Sequence, residues 1–130
     1  MARKRSAALT DGEVRLMRVL WERGRATVGD VVAGLRGPRK PAYNTVLTML
    51  RILEHKGYVS HEKEGRAFVY VPLIDRTQAR RSALSYLLNR FFDDSPELLV
   101  LNLLQHDDLG RDELRRVQEL IEQRGARAVG

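Results

Sequence analysis

The chain has 130 residues, 43% of them hydrophobic and 31% charged, a balance typical of a soluble globular protein with one domain or one domain and a small appendage. Because it contains no cysteine, the sequence excludes disulfides, cysteine-ligated zinc and a thiol nucleophile. The net charge of +6 is uneven: residues 1–74 carry 14 Lys and Arg against 7 Asp and Glu, whereas residues 75–130 carry 9 against 10. This asymmetry predicts a polyanion-binding first part and a partner-binding second part.

No segment of the sequence predicts a membrane span or a signal peptide. The apolar run LLVL at 98–101 is far too short to cross a bilayer. The basic start, MARKRSAAL, is followed at once by the polar TDGEVR rather than by an apolar core. We therefore expect no membrane insertion and a cytoplasmic location.

Three helices are predicted in the first part of the chain. TDGE at 10–13 and TVGD at 27–30 each place a threonine before a helix and an acid three residues later, the pattern of a capping box. A third helix is predicted over 43–56 from its apolar period. Each helix is expected to end at a glycine: Gly24, Gly37 and Gly57.

Beyond the third helix the apolar period changes from 3.6 to 2. Two alternating runs, around Val59 and Phe68, are separated by KEGR, whose Gly65 suits a tight hairpin turn. Pro72 lacks a backbone donor and is expected to end the second strand. Three helices followed by a β-hairpin is the order of a winged helix-turn-helix domain.

The rest of the chain is predicted to be helical. Asp75 is placed to cap the next helix, and Ser95 with Pro96 forms a favoured start for the one after it. The last helix is expected from Asp112 to about Arg124. The fold class is therefore mostly α with a small β-hairpin (α+β).

Two domains are expected: a winged helix-turn-helix DNA-binding domain at 1–74 and a helical dimerisation domain at 75–130. The apolar side chains of the second cover nearly all sides of one helix, which implies burial all round. We expect two copies to interlock, although packing of these helices on their own first domain is an alternative. The expected dimer contacts are Leu84, Leu87, Leu88, Phe91, Leu98, Leu101 and Leu104.

The third helix carries polar side chains opposite its apolar stripe. At 100° per residue, Asn44, Thr48 and Arg51 lie on the side away from Val46 and Leu50. Residues 42–53 contain no acid, whereas an ordinary solvated face favours Glu and Lys pairs. Asn, Thr and Arg can read base edges in a major groove, so this face predicts binding to double-stranded DNA.

Basic residues before and after the helix extend this prediction. The expected DNA contacts are Arg39, Lys40, Tyr43, Asn44, Thr45, Thr48, Arg51 and Arg66. Arg3, Lys4 and Arg5 would add salt-dependent affinity as an arm. Tyr43 has an alternative place against the hairpin, and Lys63 is a weaker candidate because two glutamates flank it.

No enzyme, cofactor or metal site is predicted. The three histidines, His55, His61 and His106, lack metal-ligand spacing, and there is no Gly-rich phosphate loop. The HDD stretch at 106–108 is better explained by helix capping than by a metal. The alternatives to a specific DNA binder are a winged-helix protein-interaction module and a non-specific DNA-binding protein.

Taken together, these segments resemble the penicillinase-repressor family, the BlaI/MecI/CopY group of bacterial winged-helix repressors. The resemblance runs from about Leu9 to Leu120. Three stretches carry it: LTDGEVRLMRVLWERGRATVGDVV, YNTVLTMLRILEHKGYVSHEKEGRAFVYVP and SALSYLLNRFFDDSPELLVLNLL.

The resemblance implies a homodimer that binds a palindromic operator and represses genes of antibiotic resistance or metal handling. It also implies release by proteolysis within an LVLN stretch, triggered by a membrane-bound sensor metalloprotease. Here LVLN occupies 99–102, so the matching bond joins Asn102 and Leu103. Well-known relatives have an aromatic residue where this chain has Leu103. Without cysteine, copper sensing of the kind found in one branch is not expected.

Overall fold

The computed structural model describes residues 9–106 and 109–129. The chain divides into two compact units, the first ending at Tyr86 and the second beginning at Leu87. The described elements, in chain order, are α1 (Asp11–Arg23), β1 (Ala26–Thr27), α2 (Val28–Gly34), α3 (Tyr43–Lys56), β2 (Val59–Glu64), β3 (Ala67–Pro72), α4 (Arg76–Phe91), α5 (Pro96–Gln105) and α6 (Arg111–Val129). The division falls within α4, and the assignment of residues 75–130 to dimerisation stays a prediction.

Side-chain caps begin α1 and α2 as the sequence predicts. The Thr10 hydroxyl accepts from the amide of Glu13 at 3.1 Å, and the Glu13 carboxylate accepts from the amide of Thr10 at 2.8 Å. Thr27 and Asp30 make the same reciprocal pair at 3.0 and 3.1 Å. Because these bonds satisfy amides that a helix start leaves without partners, they fix where each helix begins.

The caps of α4 and α5 are also confirmed. The Asp75 carboxylate accepts from the amide of Gln78 at 2.8 Å, and the Ser95 hydroxyl accepts from the amide of Leu98 at 3.0 Å. Pro96 occupies the first turn of α5, where its missing N–H costs nothing.

The strands form an antiparallel sheet in the order β1-β3-β2. The hairpin of β2 and β3 is confirmed, with Val59 opposite Pro72 and Glu64 opposite Ala67. The strand β1, which pairs Ala26 with Tyr70, is not predicted from the sequence. Its two residues are too few to show an alternating pattern, so only the sheet itself identifies this strand.

Two helix ends differ from the predictions. The second helix ends at Gly34 rather than Gly37, because Leu35 takes an extended backbone and its side chain is buried in the core. The last helix begins at Arg111 and runs to Val129, past the predicted end at Arg124. The residues after Gly125 are mostly Ala and Arg, which have high helix propensity and continue the helix.

The hydrophobic core of the first unit lies between α1, α2, α3 and the sheet. Its side chains are at most 6% exposed: Leu16, Met17, Val19, Leu20, Ala26, Val28, Val31, Leu35, Val46, Leu50, Leu53, Tyr58, Val59, Tyr70 and Ile74. The Trp21 indole donates to the carbonyl of Ile74 at 2.8 Å, and the Arg76 guanidinium lies 5.4 Å from the centre of its ring. Trp21 therefore fixes the start of α4 within this unit.

Among the described residues of the first unit, one ion pair is buried. The ammonium of Lys56, at the end of α3, donates to both carboxylate oxygens of Glu13, at 2.8 and 2.9 Å. Burial alone raises the pKa of Glu13, but the hydrogen bonds from Lys56 and Thr10 outweigh it, so this pKa lies below its usual value. The pair joins the start of α1 to the end of α3.

Candidate nucleic-acid interface

The α3 helix has one buried and one exposed side. Val46, Leu50 and Leu53 are fully buried, as the predicted stripe requires. The residues predicted opposite this stripe, and Thr45 beside them, are all exposed: Asn44, Thr45, Thr48, Arg51 and His55. We call Asn44, Thr45, Thr48, Arg51 and Ile52 the outward face of α3.

Ile52 was not identified from the sequence as a surface position. Its side chain is 45% exposed, and 100° per residue places it between Thr45 and Thr48 around the helix. An apolar side chain among polar ones can contact a thymine methyl group. The helical period of the core stripe could have predicted that Ile52 is exposed, because Ile52 lies outside that stripe.

Thr48 uses its hydroxyl proton inside the helix. The hydroxyl donates to the carbonyl of Asn44, one turn earlier, at 3.0 Å. Thr48 therefore has its methyl group and its hydroxyl lone pairs left for a partner.

The outward face carries a free positive charge. Among the described residues, the Arg51 guanidinium has no hydrogen bond or ion pair. The first acid after it, Glu54, is engaged: both of its carboxylate oxygens lie 2.7–2.8 Å from Nδ1 of His61 on β2. The His61 ring in turn packs edge-on against Phe68, with centroids 5.2 Å apart. This contact joins the second half of α3 to the hairpin.

The pKa of Tyr70, whose ring lies against His61, responds to two charged residues of α3, Glu54 and Arg51. Burial raises the pKa of Tyr70, Glu54 raises it further, and Arg51 lowers it in opposition. Tyr43 also adds to the rise, although its own side chain is 54% exposed. Most of Tyr43 is therefore open to solvent at the start of α3.

The segment before α3 is basic, and a side chain of α1 fixes its backbone. Residues 36–41, which we call the basic loop, include Arg39 and Lys40, both exposed. The Arg15 guanidinium donates to the carbonyl of Arg36 at 2.7 Å and to that of Arg39 at 3.4 Å. No local pattern in the sequence predicts this role of Arg15, because its partners lie 21 and 24 positions away.

The start of α3 offers donors as well as nearby cations. Its N-cap residue, Ala42, has no side-chain hydrogen bond to the helix. The first amides of α3 are thus without a side-chain cap, unlike those of α1 and α2. Together with Arg39 and Lys40, they form a surface suited to a phosphate.

The hairpin tip carries the last predicted contact. Gly65 has a φ of +59°, a conformation that favours glycine, and Arg66 follows it fully on the surface. Glu64, on the other side of the turn, forms an ion pair with Arg25. Lys63, also exposed, has a glutamate on each side, as the sequence indicated.

The apolar residues assigned to dimerisation are largely exposed in a single chain. Beyond Ile74, none of the described side chains is buried. The exposed fractions are 45% for Leu84, 37% for Leu87, 68% for Phe91, 39% for Leu98, 48% for Leu101 and 44% for Leu104, and Leu88 is half-buried. In α5, Asn102 is exposed and Leu103 half-buried.

The predicted basic arm and part of the HDD stretch lie outside the described residues. Arg3, Lys4 and Arg5 lie outside them, as do Asp107 and Asp108 of the HDD stretch. Within residues 9–106 and 109–129, no three His, Asp or Glu side chains are gathered as a metal site would need. Among the same residues, no helix has the length and apolar character needed to cross a membrane.

Comparison with known proteins finds one family model and several related regulatory proteins. The profile of the family described as "Penicillinase repressor" matches residues 9–123. The penicillinase repressor of Bacillus licheniformis is 32% identical over 120 residues, which is 92% of this chain and 94% of that protein. The methicillin resistance regulatory protein MecI of Mammaliicoccus sciuri is 20% identical over 113 residues, 87% of this chain and 92% of that one.

A solved structure extends the comparison to the fold. The solution structure of the DNA-binding domain of the repressor BlaI is 34% identical, with a TM-score of 0.51 over 58% of this chain and 93% of that domain. The winged-helix fold of the first unit is thus shared with a known DNA-binding domain. The chain belongs to the penicillinase repressor family, the BlaI/MecI group of DNA-binding winged-helix repressors.

Proposed function

We propose that this chain represses transcription as a homodimer that binds a palindromic operator, with one α3 helix in each major groove. The observation that carries the proposal is the outward face of α3: three polar side chains, one arginine and Ile52, all exposed and with no acid among them. In the chain, this helix follows the cations of the basic loop and precedes Arg66 of the hairpin. Side chains of this kind on a helix can read base edges, while flanking arginines and lysines contact phosphates.

The electrostatics of the first unit favour DNA over a protein partner. Two acids near α3 and the hairpin tip are engaged: Glu54 contacts His61, and Glu64 forms an ion pair with Arg25, while Glu62 is exposed beside Lys63. Arg51 is unpaired among the described residues, and Arg66 follows the turn. Paired acids and free cations on one surface leave a positive field toward a polyanion.

The apolar side chains of α4 and α5 support the dimer. Large exposed apolar surfaces on a soluble protein mark interaction sites, and two copies of the same helices can cover each other. A two-fold dimer pairs naturally with a palindrome, whose half-sites then lie about one helical turn apart.

Selection of duplexes from a random pool tests this proposal without knowledge of the target genes. We expect the full-length chain to enrich an inverted repeat, and two protomers to bind each enriched duplex. Enrichment of a single unrepeated half-site, or of no motif, would contradict the palindromic operator. Gel filtration with light scattering of the complex gives the number of protomers.

We further propose that the repressor is inactivated by cleavage between Asn102 and Leu103 after a membrane-bound sensor protease responds to a β-lactam. The support is the LVLN stretch within α5, close to the residues assigned to dimerisation. Mass spectrometry of the chain recovered from its host before and after exposure to a β-lactam should find a fragment ending at Asn102. Release of the target genes with only intact chain present would contradict this route.

A further inference from the structure

We infer that Arg15 is a positioning residue for DNA binding: from α1, it fixes the backbone of the basic loop so that Arg39, Lys40 and the start of α3 are presented together. The inference rests on the proposed function for its DNA-binding consequence. Its structural half, the fixing of the loop, stands on the geometry alone.

The basic loop has little means to fix itself. Pro38 and Pro41 have no N–H to donate, so two of its six residues can be held only through their carbonyls or side chains. Among the described residues, the backbone of 36–41 makes no hydrogen bond with other backbone groups. Gly37, at a φ of +118°, adds a conformation that other residues rarely adopt.

Arg15 supplies the donors that this loop needs. Its guanidinium donates to the carbonyls of Arg36 and Arg39, which lie on either side of the Gly37-Pro38 turn, at 2.7 and 3.4 Å. Both bonds come from one guanidinium nitrogen, Nη2, which carries two hydrogens and can donate to the two carbonyls at once. Hydrogen bonds from a charged donor are also stronger than neutral ones.

The position of the loop explains why its order matters. It ends where α3 begins, and Arg39 lies at the second anchored carbonyl with Lys40 next to it. A loop already held in place loses less conformational freedom when its cations meet phosphates, and this preorganisation raises affinity without any new contact. Arg15 therefore acts through the loop rather than as an independent phosphate contact.

The chain offers a matched control for the charge. Arg18, one turn along α1, lines with Arg15 and Arg36 the same open pocket of about 440 Å³. Its side chain has no hydrogen bond among the described residues. Arg15→Gln and Arg18→Gln thus remove the same charge from the same surface, but only the first removes the bonds to the loop.

The first arm of the test needs no DNA. Trypsin can cut the loop after Arg36 and after Arg39, and mass spectrometry of the full-length chain gives the rate of each cut. Loss of a charge-assisted anchor should speed these cuts by about tenfold in Arg15→Gln, with Arg18→Gln close to wild type. Arg15→Lys should be intermediate, and it decides the matter should Arg15→Gln fail to fold. Equal cutting rates in the Arg15 and Arg18 variants would overturn the fixing of the loop.

The second arm measures affinity for the duplex that the wild-type chain selects. Arg15→Gln should weaken binding about tenfold in the natural loop, but less than about twofold where Arg39→Ala and Lys40→Ala already neutralise it, because contacts that act as a unit are not additive. The same loss in both backgrounds would overturn an action through the loop. A wild-type chain that selects no duplex overturns the proposed function, and the DNA half of this inference with it, whereas the trypsin arm still decides whether Arg15 holds the loop.

Discussion

For Thr48, on the outward face, the structure limits which groups of the side chain can contact a base. Its hydroxyl proton is given to the carbonyl of Asn44, so a base edge would meet its methyl group or its lone pairs. Methyl contact with a thymine and hydrogen bonding to a base amine are separable by substitution.

We expect Thr48→Val, which keeps a methyl group, to bind the selected duplex close to wild type. Thr48→Ser, which keeps the hydroxyl, should lose roughly fourfold in affinity, the value of one buried methyl group. Fluorescence anisotropy on the same duplex measures both. The reverse order, with the serine variant the tighter binder, would show that the hydroxyl does the reading. Neither change should alter folding, because Thr48 is exposed.

The buried pair of Glu13 and Lys56 makes a second prediction at this scale. Since the pKa of Glu13 lies below its ordinary value of 4.5, the pair stabilises the fold above that value and its contribution is lost as pH falls through the lowered pKa. Lys56→Met should lower the free energy of unfolding by about 3 kcal/mol near neutral pH, because it leaves a buried carboxylate without its ion pair.

The difference between wild type and Lys56→Met should therefore shrink as the solution is acidified. Urea unfolding from pH 7 to pH 3 measures this difference in the free energy of unfolding. The fluorescence of Trp21, the sole tryptophan, follows the unit that contains the pair. Matched protein concentrations keep the effect of association equal in both proteins. A difference that stays constant over this range would show that Glu13 and Lys56 do not depend on each other.

At the scale of elements, α3 and the hairpin are expected to contribute differently to binding. Arg51 lies on the face that we propose reads sequence, whereas Arg66 lies at the hairpin tip, where we propose a phosphate contact. Arg51→Ala should weaken binding to the selected duplex roughly tenfold or more, while the affinity for a scrambled duplex changes little. Arg66→Ala should weaken binding to both duplexes alike. It should also reduce the slope of log affinity against log salt concentration by about one.

Lys63→Ala is the matched control for the hairpin, and its effect should be smaller than that of Arg66→Ala because Glu62 and Glu64 flank Lys63. A pattern in which Arg51 and Arg66 affect both duplexes equally would contradict the division of roles between helix and hairpin.

How much of these elements the sequence predicts depends on the range of the interactions that form them. The caps at Thr10, Thr27 and Ser95 involve residues three apart, so the pattern alone identifies them. The strand β1 exists only because β3 lies beside it, more than forty residues later. The same holds for Arg15 and for the pair of Glu13 with Lys56, whose partners come together only in the fold.

At the scale of the whole molecule, many apolar side chains of the last three helices are exposed within the described chain. Leu101 lies near the middle of α5 and is 48% exposed. In a dimer interface, an aspartate there would bury a charge without a partner. We therefore expect Leu101→Asp to sediment as a monomer. The fluorescence of Trp21 should show that the winged helix is still folded.

Gln105→Glu is the control, since it places the same negative charge on an exposed polar position of α5 without removing an apolar side chain. It should remain dimeric. Dimers in both variants at micromolar concentration would place the interface elsewhere, and monomers in both would show a general effect of charge rather than loss of an apolar contact.

The most direct test of the account is fluorescence anisotropy of the full-length chain on the promoter DNA upstream of its own gene, against a scrambled duplex, over a series of salt concentrations. We predict binding of two protomers per promoter duplex with a preference of ~10³ or more over the scrambled one, and a preference that persists as salt weakens both affinities. Equal affinity for the two duplexes, lost together as salt rises, would contradict sequence-specific repression of its own promoter and leave only attraction to phosphate.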